Sequence, residues 1–184
     1  MRINAGKFKG VPILTRDIAG TRPTSDKIKQ ALFNILGPSI QGKAVLDLYA
    51  GFGALGLEAL SRGASPVVFV EHNPKCTKVL RENISRLKEA GAAAEILTED
   101  IFQAMRRLEK DQRTFDIVLS DAPYSQGNAK LLNVLADSGI LTPESLLLLQ
   151  HDRKEQLPAS AGRWKTIRSY HYGNSSLTIY RQES

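Results

Sequence analysis

The sequence predicts an α/β protein: a mainly parallel sheet with helices on both faces, an antiparallel hairpin at one edge and a small basic N-terminal extension. Three observations carry this expectation. From Lys43 onward, short apolar runs alternate with amphipathic stretches of helical period. A glycine-rich turn, Ala50-Gly51-Phe52-Gly53-Ala54-Leu55-Gly56, joins the first run to the first such stretch. Near the end, Trp164–Tyr172 and Ser175–Arg181 are strand-like with no helix between them, so they should pair as a hairpin around Tyr172-Gly173-Asn174.

Residues 2–16 mix small, basic and apolar side chains with Gly6 and Gly10. They read as one or two short strands, too small to form a core of their own. Thr21-Arg22-Pro23-Thr24-Ser25 is turn and cap chemistry, and a helix should follow from Asp26 with Ile28, Ala31, Leu32 and Ile35 inward, stopped by Gly37 and Pro38. We therefore divide the chain into a basic extension, residues 1–25, and a main domain, residues 26–184.

Within the main domain the first strand is Ala44–Leu48, followed after the glycine turn by a helix ended at Gly63. Pro66–Glu71 is the second strand. Asn73-Pro74 caps a helix with Val79, Leu80, Ile84 and Leu87 inward, for which Gly91 is the stop signal. Ala94–Leu97 is a third strand, and the helix after Asp100 buries Ile101, Phe102, Met105 and Leu108. Phe115–Ser120, a helix around Ala129–Leu135 and the apolar run Leu146–Leu149 complete the series.

At 184 residues the chain is long enough for one well-buried domain. No apolar run approaches the roughly 18 residues of a membrane helix, and the N-terminus lacks the apolar segment of a secretory signal. A single cysteine, Cys76, excludes an internal disulfide and points to a cytoplasmic address. The net charge of +6 is local: residues 1–30 hold seven cations against two anions, and the remainder 18 against 17. Such a cationic arm on a near-neutral body suits contact with phosphates, with Arg2, Lys7, Lys9, Arg16 and Arg22 as the candidates, although a solvated basic terminus is as good a reading of charge alone.

Gly51, Gly53 and Gly56 follow a strand and open a helix, which brings backbone close to a ligand at a helix N-terminus. Glu71, 20 residues past Gly51, can accept from the hydroxyls of a ribose, and Asp100 beside Ile101 from an adenine amino group. NAD and S-adenosylmethionine share this pattern. Asp47, near the end of the first strand, favours the second, because a carboxylate attracts an ammonium group and disfavours a pyrophosphate. Tyr49 in the loop and His72 beside Glu71 complete the expected donor-binding set. A capping or surface role is the plain alternative for each acid.

Asp121-Ala122-Pro123-Tyr124 follows the fourth strand. Asp121 and the Ala122 carbonyl can each take a hydrogen from an exocyclic amine. Pro123 holds Ala122 extended, and Tyr124 can stack on a base, worth about 1–3 kcal/mol. An ordinary Asp-x-Pro turn is the bland alternative. The three histidines, His72, His151 and His171, lack metal-ligand spacing, and we expect no metal; His151-Asp152 reads as a surface loop.

Asp121-Ala122-Pro123-Tyr124 resembles the [D/N]PPY motif of S-adenosylmethionine-dependent amino methyltransferases, and Asp47–Gly56 resembles their motif I. Further matches are Arg2–Gly10, Arg22-Pro23-Thr24-Ser25-Asp26 with Ala31–Leu36, Gln150-His151-Asp152 and Tyr172–Leu177. Together they resemble the RsmD-type ribosomal RNA guanine-N2 methyltransferases of bacteria nearly end to end. The resemblance implies a Rossmann-like class I methyltransferase fold with seven strands, S-adenosylmethionine as cofactor, and methylation of a guanine N2 in 16S rRNA of the small ribosomal subunit. We expect a monomer, with neither membrane nor metal among its partners. The chain departs from the family pattern at Ala122, where proline is usual, and at Gln150, where glutamate is. Rival readings are methylation of adenine N6 or a protein glutamine, a NAD-dependent oxidoreductase, and an RNA-binding assembly factor that has lost catalysis.

Overall fold

The computed structural model describes residues 1–18, 26–122 and 127–183. Five strands run parallel: β1 (Val45–Leu48), β2 (Val67–Val70), β3 (Ala94–Leu97), β4 (Phe115–Asp121) and β5 (Leu141–Asp152). Three more join antiparallel: β6 (Ser160–Ala161), β7 (Trp164–Tyr172) and β8 (Ser175–Gln182). The order is β3-β2-β1-β4-β5-β8-β7-β6. The eighth strand is an addition to the expected seven. β6 spans two residues, too few to leave a periodic signal in sequence.

The helices are α1 (Asp26–Leu36), α2 (Ala54–Ser61), α3 (Pro74–Ser85), α4 (Ile101–Lys110) and α5 (Asn128–Asp137). Leu32, Leu57 and Leu80 of α1–α3 pack on one sheet face with Val45, Phe69, Leu119 and Leu148. Met105 and Leu132 of α4 and α5 pack on the other with Leu46, Val68, Val118 and Leu147. Covered on both sides, β1 and β2 are buried at every residue, which is why their sequences are continuously apolar apart from Asp47.

Three details differ from the sequence reading. α1 buries Ile28, Lys29, Leu32, Phe33 and Leu36, while Ile35 is exposed. The helix is turned so that Phe33 and Leu36 enter the core, and Lys29 goes in with them. α3 ends at Ser85 rather than running to Gly91. A 3-10 segment, Lys88–Ala93, follows, and its first residue has positive φ, which breaks the α-helical ladder. β5 extends to Asp152, so His151 is a buried strand residue and not part of a surface loop.

The N-terminal segment is docked on α2. Arg2 and Pro12 form an antiparallel bridge, and Ile3 and Ile13 are buried against Leu32 and Phe33. The N–H groups of Asn4 and Ala5 donate to the two carboxylate oxygens of Glu58, at 2.7 and 3.0 Å. Phe8 N–H donates to Ser61 Oγ, which in turn donates to Ala5 O. Lys29, counted by charge with the basic arm, has no exposed side chain; its Nζ donates to Arg2 O and lies 3.7 Å from Glu58.

Candidate functional site

Strand order reverses between β2-β1 and β4-β5, so the chain segments leaving β1 and β4 diverge and open a crevice at the carboxyl edge of the sheet. The glycine turn lies there. Gly53 is the N-cap of α2 at φ 88°, where L side chains are strained, and it offers no side chain to cap the helix. A Cβ on Gly56 would sit 2.1 Å from the Phe69 ring, so this glycine lets α2 lie against β2.

Asp47 supplies the cap that Gly53 lacks. Its Oδ2 accepts from Gly56 N–H at 2.8 Å across nine residues of chain, with only 1% of the residue exposed. Burial pushes its carboxyl up to about 8; the Gly56 hydrogen bond opposes the rise, and the nearby Asp121 and Glu71 add to it. Tyr49 follows β1 in a left-handed conformation, φ 58°, and is half-buried.

Glu71 holds the turn from the next strand. Its Oε2 accepts from Gly51 N–H at 3.0 Å and its Oε1 from Asn73 N–H at 2.8 Å, with exposed His72 Nδ1 at 3.3 Å. Asp100 caps α4, accepting from Phe102 and Gln103 N–H, and remains exposed; Ile101 turns its side chain into the core. The three acids read from sequence therefore all bind backbone N–H groups; Asp47 lies in β1, and Glu71 and Asp100 follow β2 and β3.

Asp121 closes β4 one strand away from β1, in register with Gln150 of β5, and Ala122 is buried beside it. Pro123, Tyr124 and Arg22 lie outside the described residues. Arg2 donates to Gly10 O, Lys7 pairs with Glu89, and Lys9 and Arg16 are exposed.

Two residues that sequence reasoning passed over, Ser120 and Asn83, belong to this edge. Ser120 Oγ, and with it Oε1 of Gln150, is buried and has no hydrogen-bond partner among the described residues, so a ligand at the ends of β4 and β5 would meet unsatisfied polar atoms. Asn83, 3% exposed on α3, accepts from Leu14 N–H and donates to Leu14 O and to Phe52 O inside the glycine turn. A lone asparagine in the stripe Val79, Leu80, Ile84 was the available signal. Among the described residues no cluster of His, Cys, Asp and Glu could hold a metal, and no helix is long and apolar enough to cross a membrane.

The residues present fit an adenosyl amino-acid ligand: paired acids for hydroxyls and amines, open space over Gly51 and orphaned polar atoms on the acceptor side. Among solved structures, yhhF from Escherichia coli superposes with a TM-score of 0.85 at 30% identity, covering 100% of this chain and 98% of that one. The RNA methyltransferase from Salinibacter ruber in complex with S-adenosyl-L-homocysteine shares the fold at a TM-score of 0.67 and 18% identity, over 89% of this chain and 95% of its own. Fold and site together define the class, that of the α/β methyltransferases that use S-adenosylmethionine.

A family model described as Conserved hypothetical protein 95 matches residues 1–181, and the chain belongs to that family. The ribosomal RNA small subunit methyltransferase D of Escherichia coli strain K12 is 33% identical over 100% of this chain and 91% of its own length. That of Haemophilus influenzae strain Rd is 30% identical over 98% and 93%.

Proposed function

We propose that the protein transfers a methyl group from S-adenosylmethionine to the exocyclic N2 amine of a guanine in 16S rRNA of the small ribosomal subunit. The observation that carries this reading is the placement of Asp121 and the Ala122 backbone one strand from Asp47 and the glycine turn. The names of the full-length relatives supply the substrate class.

S-adenosylmethionine supplies a methyl group activated by sulfonium charge. Asp47 would hold its ammonium group, Glu71 its ribose and Asp100 its adenine, while Gly51 and Gly53 would let backbone approach, Tyr49 and His72 would flank the site, and Ile101 would back it from the core. Asp121 accepts one hydrogen of the guanine amine and the Ala122 carbonyl the other, which aims the nitrogen lone pair at the methyl carbon. Pro123 and Tyr124 belong to the same grip by sequence. As the N–C bond forms and the S–C bond breaks, the amine gives up one proton, to water or to Asp121. No side chain is required as a strong base.

In this reading residues 1–25 form an RNA-holding extension of the catalytic domain, residues 26–184, with Arg2, Lys7, Lys9, Arg16 and Arg22 contacting phosphates. Calorimetry of the purified protein with S-adenosylmethionine tests the donor half: saturable binding is expected, and none would overturn the proposal. Asp121→Ala should keep that binding and lose methyl transfer; undiminished turnover would remove Asp121 from the mechanism.

A further inference from the structure

Beyond the crevice, β5, β8 and β7 lie side by side and floor a groove of about 420 Å³. Two cross-strand rows make the floor: Thr178 and Ser169, then His151, Ser176 and His171. Neither row takes part in the glycine turn or in the strand end that carries Asp121. The groove nevertheless begins beside it, because His151 follows Gln150, the register partner of Asp121. Its wall is tied to the same region: Glu155 accepts from Asn128 N–H at 3.0 Å and from Asn128 Nδ2 at 2.7 Å, at the start of α5.

The hydrogen bonds of the floor fix which groups remain for a ligand. His151 Nδ1 lies 2.9 Å from Asp152 O and must carry the proton there, so Nε2 accepts from the Thr178 hydroxyl at 2.9 Å. Burial holds this imidazole below its usual range, in keeping with a neutral ring. Thr178, having donated, accepts from Ser169 Oγ at 3.1 Å, which leaves the Ser169 lone pairs turned outward. His171 uses Nδ1 on Ser176 Oγ at 2.8 Å, leaving Nε2 at the groove. Arg153, exposed at the rim, forms no ion pair among the described residues.

A cation at the rim, an imidazole nitrogen and an accepting hydroxyl on one floor suit a ribose-phosphate better than an apolar ligand or a lone base. We propose that this groove holds the sugar-phosphate of an RNA nucleotide flanking the target guanine, with Arg153 and His171 on the phosphate and Ser169 accepting from the 2′-hydroxyl. The proposal rests on the RNA methyltransferase reading above and names a part of its substrate site.

Methyl transfer to undermodified small ribosomal subunits, with labelled S-adenosylmethionine, tests it through Arg153→Glu and His171→Ala. Both residues are exposed, and thermal unfolding of each variant checks that the fold is kept. The expected result is a KM for subunits raised about 10-fold or more, with kcat and donor affinity unchanged. Ser169→Ala should raise KM by a smaller factor. Transfer with an unaltered KM in Arg153→Glu and His171→Ala would overturn the groove alone. Failure of the unaltered protein to transfer label would overturn the methyltransferase reading and the groove together.

Discussion

Lys29 and Glu58 face one another at 3.7 Å with neither side chain exposed. The same carboxylate takes the N–H groups of Asn4 and Ala5 and the Nε of Arg62, so one buried acid on α2 fastens both α1 and the N-terminal segment. Breaking a buried pair from one side leaves an uncompensated charge, at a cost of roughly 3–5 kcal/mol. Glu58→Ala should lose stability on that scale in urea unfolding, and trypsin should then cut earlier within residues 1–18. A loss under about 1 kcal/mol would show that the segment is held elsewhere.

Asp47 gives the protein an inverted pH dependence at one group. Its folded value, about 8, lies above its ordinary 3.8, so between those values the folded state binds the extra proton. Stability from this group is full below pH 4 and is lost as pH rises towards 8, by at most about 1.4 kcal/mol per unit. Asp47→Asn keeps an acceptor for Gly56 N–H without that penalty. It should be more stable than the parent at pH 8, with the gap closing towards pH 5. If Asp47 meets the donor's ammonium group, binding near pH 7 releases close to one proton, read from calorimetry in buffers of different ionisation enthalpy, and Asp47→Asn releases none. Equal proton release by both proteins would contradict the assignment.

Asn83 joins the N-terminal segment to the glycine turn through Leu14 and Phe52. Asn83→Ala leaves three backbone groups unpaired, that of Phe52 buried and the two of Leu14 partly so, the buried one worth about 1–3 kcal/mol. Stability should fall by about 2 kcal/mol or more in urea. Donor affinity should also drop several-fold, because Phe52 stands between Gly51 and Gly53. An unchanged dissociation constant at a temperature where the variant is folded would separate the turn's geometry from Asn83.

What was legible in the sequence was what local periodicity encodes. β1–β5 and their crossover helices stand where apolar runs and glycine or proline punctuation put them, and the Asn73 cap accepts from Lys75 N–H as its residue type implies. The burial of Lys29 was not legible, because it depends on Glu58 and Arg2, contacts that no window of sequence contains. The turn of α1 was misjudged for a related reason: Ile35 and Leu36 are equally apolar, and only packing against the sheet chooses between them. The candidate site was legible as residue types at strand ends. Capping was one of the two readings open for each acid; what no local window contained is the reach of Asp47 to Gly56 and of Glu71 to Gly51, whereas Asp100 caps the turn that follows it.

The central claim is that the crevice places a guanine N2 against the methyl of S-adenosylmethionine. Its most direct test uses undermodified small ribosomal subunits and methyl-labelled donor, followed by digestion of the rRNA to nucleosides and chromatography. Label is expected in N2-methylguanosine alone, and none with Asp121→Ala. Label in N6-methyladenosine or in protein, or no transfer by a protein that binds the donor, would contradict it.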